Sequence, residues 1–281
     1  MIASARGHGA GTIVSAVAGG RGASFGLDIP VVVSFQRVTE STLVRTGPGI
    51  GPELVERCVA RLYEARGIRG GARVDIASEI PVSRGLKSSS AVANTVLAAG
   101  ALALGAEIHE AEILDLGIQA SFDAKVTITG AYDDAVACFR GGVAVADNRG
   151  RRLLATGALP GDFVAVLHVP RSSRRKSEIA RLDFGPITAS VGEAFRLALR
   201  GEYAMAMDAN DRAYSAVLGG DPDVAERARR AGARAASVSG TGPATVALCR
   251  AADAPAVAAA LKDDEAEVRT VALVHPVGRG P

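Results

Sequence analysis

The sequence predicts an α+β fold built of two layered halves. Segments that alternate apolar and polar residues, such as residues 73–80, are interleaved with Ala/Leu/Val-rich runs of helical length, such as residues 91–104. The 281 residues, 48% of them hydrophobic, are enough for one large core or two moderate ones. The chain shows no fixed-period repeat and no low-complexity tail. Strands and helices that alternate in this way are typical of layered α+β architecture.

The elements of the first half follow from local patterns. Pro52 predicts the start of a helix, because proline is favoured in a first helical turn. Asn148 and Gly150 predict a hairpin turn between two short strands. In chain order we predict strands at residues 2–5 and 31–35, a helix at 52–65, a strand at 73–80, helices at 91–104 and 107–122, and strands at 143–146 and 153–155.

The second half is predicted to begin after a short glycine-bounded segment, residues 157–161. This segment divides the chain into two predicted domains, residues 1–158 and residues 159–281. After it we predict a strand at 163–169, helices at 187–200, 203–218 and 224–231, strands at 235–238 and 244–248, a helix at 254–261 and a last strand at 268–274.

Composition and charge exclude several classes of protein. A net charge of +2, with 32 basic and 30 acidic residues, indicates neither a nucleic-acid partner nor a membrane surface. The apolar run at residues 91–104 is too short to span a bilayer and no signal-peptide pattern begins the chain, which predicts a cytoplasmic location. Cys58, Cys138 and Cys249 are odd in number and far apart, so we expect neither a complete disulfide framework nor a CxxC metal site.

The loop between the strand at 73–80 and the helix at 91–104 is the strongest functional signal. The first backbone N–H groups of a helix have no intrahelical partner and the helix dipole is positive there, so an anion is stabilised. A serine N-cap is the structural alternative, but it explains one serine and not three. Lys87 favours the anion-binding interpretation over the simple cap. The helix dipole makes a cation unfavourable at this end of the helix, and a bound polyphosphate would make it favourable. The loop consists of Pro81, Val82, Ser83, Arg84, Gly85, Leu86, Lys87, Ser88, Ser89, Ser90 and Ala91.

Three other segments have both a structural and a functional interpretation. The adjacent Asp133 and Asp134 are either a solvated helix cap or a pair of acidic site residues. The turn at residues 240–243, Gly-Thr-Gly-Pro, is either a tight hairpin or a place where glycines let the backbone approach a ligand closely. The basic cluster of Arg171, Arg174, Arg175 and Lys176 is either a solvated loop or the clamp of an acidic substrate.

The loop resembles the second motif of the GHMP kinase superfamily, which reads roughly Pro-x-Gly-x-Gly-Leu-Gly-Ser-Ser-Ala. Ser83 and Lys87 stand where that motif has its first and last glycines, and both departures look like the archaeal-type shikimate kinase branch, whose loop commonly reads Gly-Leu-Lys-Ser-Ser-Ser-Ala. The resemblance extends over nearly the whole chain, through blocks at residues 8–14, 22–28, 127–135, 199–203 and 239–244.

The resemblance implies a fold, an activity and cofactors. The fold would be the two-domain GHMP kinase fold, with a ribosomal protein S5 domain 2-like N-terminal domain and a ferredoxin-like C-terminal domain. The activity would be the ATP- and Mg²⁺-dependent phosphorylation of a small molecule, shikimate, to shikimate 3-phosphate in aromatic amino-acid biosynthesis. Nucleotide and acceptor would meet in the cleft between the two halves.

The resemblance also assigns roles to individual residues. Asp133 falls on the family's catalytic aspartate, either as a base or as a group that orients the hydroxyl, and Lys87 would neutralise phosphate charge. The family's magnesium-binding glutamate has no obvious counterpart, since Phe122 and Asp123 stand in its neighbourhood. ATP would be bound by residues 81–91 together with Gly240, Thr241 and Gly242; the acceptor by Asp134, Thr129, Ser24, Asp28 and Arg174; and the metal by Ser89 and Ser90.

Two alternatives stay open from the sequence. The first is another GHMP small-molecule kinase, of the homoserine or mevalonate type. The second is an ATP-binding regulator of the same fold without turnover, against which the retained Lys87 and Asp133 argue. The pattern leaves the oligomeric state open.

Overall fold

The computed structural model describes residues 1–174, 176–219, 221 and 223–276, without the side chains of Lys176 and Ser177. Two sheets with helices packed on them confirm the predicted α+β class. Arg175 and the side chain of Lys176, both in the predicted basic cluster, lie outside the described residues. No helix in the described part of the chain is both long enough and apolar enough to cross a membrane.

The first sheet has six strands and contains every strand up to residue 157. Its order is β3-β4-β2-β5-β6, and β1 pairs with β2; all pairs are antiparallel except β3 with β4. The strands are β1 (Ile2–Val14), β2 (Arg21–Val38), β3 (Leu43–Arg45), β4 (Gly71–Ser78), β5 (Val143–Asp147) and β6 (Arg152–Gly157).

Four helices accompany this sheet, and α2 occupies the central place. It packs against β1 and β2 on one side and against α1 and α3 on the other, which explains why it is apolar almost all round. The helices are α1 (Pro52–Arg66), α2 (Ser88–Leu104), α3 (Glu110–Asp123) and α4 (Tyr132–Arg140).

The second sheet has four antiparallel strands in the order β10-β7-β9-β8. Numbered one to four along the chain, these strands lie in the spatial order 4-1-3-2, with helices between the first and second and between the third and fourth, as in a ferredoxin-like domain. The elements are β7 (Phe163–Pro170), α5 (Lys176–Ile179), a 3₁₀ turn (Gly185–Ile187), α6 (Thr188–Leu199), α7 (Tyr203–Leu218), α8 (Asp223–Arg230), β8 (Ala235–Val238), β9 (Thr245–Arg250), α9 (Ala254–Leu261) and β10 (Ala266–Ala272).

The two halves share one main hydrophobic core. It contains Leu27 of β2, Leu167 of β7 and Tyr214 of α7, all fully buried, while a smaller cluster under α8 and α9 surrounds Val257. The predicted division after residue 158 falls between β6 and β7. Because the core crosses that point, the division into two domains stays a prediction.

The largest difference from the predicted elements lies in β1 and β2, which run far beyond residues 2–5 and 31–35. Glycine weakens a strand, so the glycine-rich stretches at 7–11 and 19–26 do not read as strands. Here glycine is needed for packing, since a Cβ on Gly11 would lie 2.6 Å from Cζ of Phe25. The short strand β3 and the helix α4 were also not predicted.

Candidate active site

The loop between β4 and α2 has an unusual backbone. Ser83 (φ 57°), Gly85 (φ 86°) and Lys87 (φ 66°) all adopt the left-handed region. A Cβ at Gly85 would lie 2.0 Å from the carbonyl oxygen of Ser239, so only glycine fits there. The fully buried Leu86 anchors the loop in the core between these positions.

The serines at the start of α2 do not serve as its cap. Lys87 is the N-cap residue, and no side chain within the described structure caps this helix. The first N–H groups of α2 are therefore open toward the cavity that the serines line. Ser88, Ser89 and Ser90 thus leave the helix terminus available to an anion, which favours the phosphate interpretation over the simple cap.

Lys87 combines backbone strain with a placed charge. A non-glycine residue in the left-handed region costs on the order of 1–3 kcal/mol, and this is the position of the last glycine in the family motif. The Nζ atom lies 3.0 Å from Oδ1 of Asp134 and equally close to where a Cβ of Gly240 would stand. The strain therefore accompanies a largely buried cation held between the acidic pair and the glycine turn.

Asp133 is almost entirely buried in the first turn of α4. Its Oδ1 accepts a 2.7 Å hydrogen bond from Nδ2 of Asn148, and its backbone N–H donates to Oδ1 of the same asparagine at 3.0 Å. Burial, together with the charge of Asp134, raises the pKa of Asp133 to about 7, although Lys87 and the hydrogen bonds from Asn148 and Ser24 act in the opposite direction. A carboxyl group with such a pKa exchanges protons near neutral pH.

Asp134 lies closer to solvent and is joined to both neighbours. The Ser24 hydroxyl lies 2.6 Å from Oδ1 of Asp134 and 3.0 Å from Oδ2 of Asp133. Ser24 itself is fully buried. The predicted acceptor-binding Ser24 therefore lies behind the two carboxylates, where it links them.

The glycine turn after β8 closes the site from the second half of the molecule. The Ser239 hydroxyl donates to the carbonyl oxygen of Gly85 at 2.8 Å, and the backbone N–H of Gly240 donates to Oγ1 of Thr12 at 2.8 Å. The backbone N–H of Ala244 donates to the carbonyl oxygen of Arg84 at 3.1 Å. The turn joins two antiparallel strands and also touches the loop, so the two interpretations of this segment apply together.

One cavity brings together most of the predicted site residues. Its lining includes both aspartates, Thr129, Arg174, Gly240, Thr241, Gly242, and the loop residues Pro81, Val82, Ser83, Gly85, Leu86, Lys87, Ser88, Ser89 and Ser90. Arg84 and Ala91 do not line it. Arg84 donates to the carbonyl oxygens of Pro170 and Arg171 and so ties the loop to β7, and Ala91 is buried in the core.

Among the candidates for acceptor binding, Arg174 and Asp28 have different surroundings. Nη1 of Arg174 donates to the carbonyl oxygen of Thr241 at 3.1 Å, at the edge of the cavity. Asp28 forms an exposed 3.0 Å ion pair with Arg6 and lines a separate depression with His8. The role predicted for Asp28 stays a prediction, and the cavity does not include it.

The predicted ligands of Mg²⁺ are the serine hydroxyl groups at the start of α2. Ser89 and Ser90 line the cavity, whereas Asp123 pairs on the surface with Arg61 at 2.8 Å. Within the described ranges, no three His, Cys, Asp or Glu side chains form a metal-binding group. Mg²⁺ commonly keeps several waters and binds through one or two protein oxygens and substrate phosphates, and the serine hydroxyls fit that mode.

Asn148 and Ser239 contribute to the site although sequence reasoning did not assign them to it. Asn148 directly follows β5 and was interpreted only as a turn residue. It does lie in the turn after that strand. Ser239 was part of a matched block without a role of its own. Neither carries a local signal, because each acts on a partner distant in sequence.

Comparisons with known proteins show the family and the fold of this chain. The family model for the N-terminal domain of GHMP kinases matches residues 53–142, and the model for their C-terminal domain matches residues 209–266. These matches and the fold define a GHMP kinase class. Among solved structures, homoserine kinase from Cytophaga hutchinsonii superposes with a TM-score of 0.77 at 19% identity, covering 96% of this chain and 95% of that one. Mevalonate kinase from Methanococcus jannaschii gives a TM-score of 0.76 at 14% identity, covering 98% of each chain.

Curated relatives narrow the class to one branch. Shikimate kinase from Methanosarcina mazei is 37% identical over 86% of this chain and 84% of its own length. Shikimate kinase from Methanothermobacter thermautotrophicus is 36% identical over 86% of both chains, and that from Pyrococcus abyssi is 37% identical over 88% of this chain and 92% of its own. The chain belongs to the archaeal-type shikimate kinase family of the GHMP kinase superfamily.

Proposed function

We propose that this protein transfers the γ-phosphoryl group of ATP to the 3-hydroxyl of shikimate, with Mg²⁺ as cofactor. The observation that carries the proposal is the single cavity in which the open N-terminus of α2, Lys87 and the two aspartates meet. Phosphoryl transfer requires a cradle for the phosphates, cations against their charge and a group that handles the acceptor proton. Those are the three kinds of group that this cavity supplies.

The phosphates would bind at the start of α2. The open N–H groups there donate to phosphate oxygens, and Lys87 neutralises part of the charge. Ser89 and Ser90 would hold Mg²⁺ together with the phosphates, and the bound metal would neutralise part of the phosphate charge. Gly240 to Gly242 would cover the phosphates from the second half of the molecule.

The acceptor hydroxyl would lie beside the aspartates. Its oxygen forms a bond to the γ-phosphorus while the bond between that phosphorus and the oxygen of ADP breaks, and its proton goes to a carboxylate. A base works best when its pKa lies near the working pH, and a pKa of about 7 for Asp133 supports this role. We propose that Arg174 binds the acceptor carboxylate and that Thr129 and Asp134 line its site.

The substrate assignment rests on the relatives named shikimate kinase, and a coupled assay of ADP release tests it. Shikimate, homoserine, mevalonate and a control without acceptor are compared at equal ATP and Mg²⁺, and the product is identified by ³¹P NMR. We expect ADP release with shikimate and a 3-phosphate product. Release with homoserine or mevalonate but not with shikimate would reject the substrate, and no release with any acceptor would favour a regulator without turnover.

Arg174 has its own test within the same assay. Arg174→Ala is expected to raise KM for shikimate roughly 10-fold or more, because a bidentate charge-assisted contact is lost, with a much smaller change in KM for ATP. Arg174→Lys keeps the charge without the planar fork and should recover only part of the affinity. An unchanged KM for shikimate in both variants would remove Arg174 from acceptor binding.

A cytoplasmic location, with neither a nucleic-acid nor a membrane partner, remains part of the proposal and rests on the charge balance and the short apolar run of the sequence.

A further inference from the structure

Asn148 is committed to Asp133 through both atoms of its amide. The side chain is 2% exposed, donates from Nδ2 to Oδ1 of Asp133 and accepts the backbone N–H of the same residue at its own Oδ1. Its backbone N–H donates to the carbonyl oxygen of Gly20 at 2.9 Å, which fixes the asparagine to the start of β2. The two side-chain bonds determine both the orientation of the carboxylate and the position of the first turn of α4.

The other oxygen of Asp133 faces Ser24. The Ser24 hydroxyl lies within hydrogen-bond distance of both carboxylates but has one proton to donate. The 2.6 Å contact to Asp134 has the length of a hydroxyl donating to a carboxylate, and the 3.0 Å contact lets the same hydroxyl donate to Asp133 instead. The geometry is that of two carboxyl groups that share the one hydroxyl proton of a serine.

We infer that Asn148 and Ser24 are positioning residues for phosphoryl transfer: Asn148 aims Asp133 and favours its ionised form, and Ser24 joins Asp133 and Asp134 into one proton-accepting unit. This inference rests on the proposed function for its catalytic meaning. When the acceptor oxygen attacks the γ-phosphorus and ADP departs, the proton of the acceptor hydroxyl enters the unit, is shared through Ser24 and passes to water after product release.

Several groups face Asp133. Asp134 and the Cys138 thiol come from α4, and Lys87 comes from the end of the loop. From β2, Gly22 lies so close that a Cβ would be 2.6 Å from Oδ2 of Asp133. Asn148 and Ser24 favour the ionised carboxylate in this setting, so losing either one raises the pH at which the unit gives up its proton.

The first experiment measures kcat and KM against pH for the whole protein. In Asn148→Ala and Ser24→Ala we expect the acidic limb of kcat to move up by about one pH unit, since one hydrogen bond to a charged group corresponds to roughly one pKa unit. We expect kcat to fall about 5-fold at pH 7 and to recover at higher pH, with KM for ATP changed less than about 2-fold. Ser24→Thr keeps the hydroxyl and should keep the wild-type limb.

Asn210 offers a matched control. It is fully buried, accepts the backbone N–H of Ser15 at 2.8 Å and donates to the Ser237 hydroxyl at 2.9 Å, so Asn210→Ala also removes two hydrogen bonds of a buried amide. A merely structural role for Asn148 predicts the same behaviour in both variants. A pH limb that moves in Asn148→Ala and stays in place in Asn210→Ala supports the inference.

The second experiment does not depend on turnover or on the acceptor. Protein labelled with ¹³C at aspartate carboxyl carbons is titrated by NMR without substrates. We expect one carboxyl to titrate near pH 7 in the wild type and at higher pH in Ser24→Ala. If that resonance moves while shikimate is inactive, the proton-sharing unit stands and the substrate assignment fails. An unchanged titration in Ser24→Ala, or an unmoved limb in folded Asn148→Ala, overturns the inference.

Discussion

Two pairs of aspartates on two helices, each with one buried member, have very different surroundings. On α7, Asp208 and Asp211 face the guanidinium of Arg229 at 3.1 and 3.4 Å, and each accepts a backbone N–H from β8. On α4, Asp133 and Asp134 lie near Lys87. Among the described residues, the carboxylate that pairs with the Lys87 amine is that of Asp134. The first pair has a cation for both members, and the second does not.

The difference separates what holds the fold together from what serves the chemistry. A guanidinium and backbone donors offset much of the cost of burying Asp208 and Asp211, and in return they connect α7, α8 and β8. Burial still raises the pKa of Asp211. Asp133 is more deeply buried and lies beside the charge of Asp134, and its pKa is raised to about 7. An unfavourable charge retained in a cavity is typical of functional sites.

The largest expected effect is on turnover. Asp133→Asn keeps the shape and the hydrogen bonds to Asn148 but cannot accept a proton, so kcat should fall roughly 10³-fold, within the range for loss of a general base. KM for ATP should change little. The measurement is steady-state ADP release with shikimate. Near-wild-type turnover would remove Asp133 from the chemistry and make the two pairs alike.

The same substitution should increase stability in a pH-dependent way. Below pH 3.8 the carboxyl is protonated in both folded and unfolded protein and contributes nothing. Between pH 3.8 and about 7 the unfolded chain ionises first, so wild-type stability falls as pH rises. Urea unfolding at pH 8 should therefore show Asp133→Asn more stable than wild type by on the order of 2–4 kcal/mol, and no difference near pH 3. Equal stability at both pH values would contradict the raised pKa.

Lys87 provides a test with two matched variants. Lys87→Gly removes the amine and relieves the left-handed backbone, whereas Lys87→Ala removes the amine and keeps the strain. Both should raise KM for ATP and lower kcat, by roughly 10- to 100-fold in kcat/KM. In thermal or urea unfolding, Lys87→Gly should exceed Lys87→Ala in stability by about 1 kcal/mol. Activity of the glycine variant equal to wild type would show that the cation is dispensable.

The smallest effect concerns the structural pair. Asp211→Asn retains its volume but loses the charge-assisted contact to Arg229. Because burial raises the pKa of Asp211 in spite of that contact, removing the charge costs little, and we expect stability at pH 7 to change by less than about 1 kcal/mol with kcat nearly unchanged. The change should be much smaller than that for Asp133→Asn. A stabilisation as large as that of Asp133→Asn would mean that the pairing with Arg229 does not offset burial, and the contrast between the pairs would disappear.

The sequence was sufficient to predict those elements whose pattern lies within a short stretch of residues. Alternation and helical runs predicted the strands and helices around the loop, and the loop itself lies at the start of α2 as expected. The glycines of β1 and β2 concealed the strands, because the contacts that require them form only in the folded sheet, as between Gly11 and the Phe25 ring. The backbone at Lys87 could not be inferred from residue type, since lysine is not a left-handed residue by preference.

The site itself depends on partners distant in the chain. Ser24 and Asp133 are 109 residues apart, and Ser239 meets Gly85 across 154 residues, so no spacing rule connects them. Asp28 was chosen by position within a matched block, but it forms its ion pair with Arg6 outside the cavity. Only the folded sheets reveal that Asn148, a turn residue by sequence, holds the carboxylate.

The most direct test of the account is the pH dependence of shikimate-dependent ADP release at saturating substrates, for wild type and Asp133→Asn side by side. We predict a wild-type kcat that rises through an apparent pKa near 7, and a low residual rate in the variant without that rise. A wild-type rate already constant from pH 5 upward, or a variant that keeps both rate and rise, would contradict it.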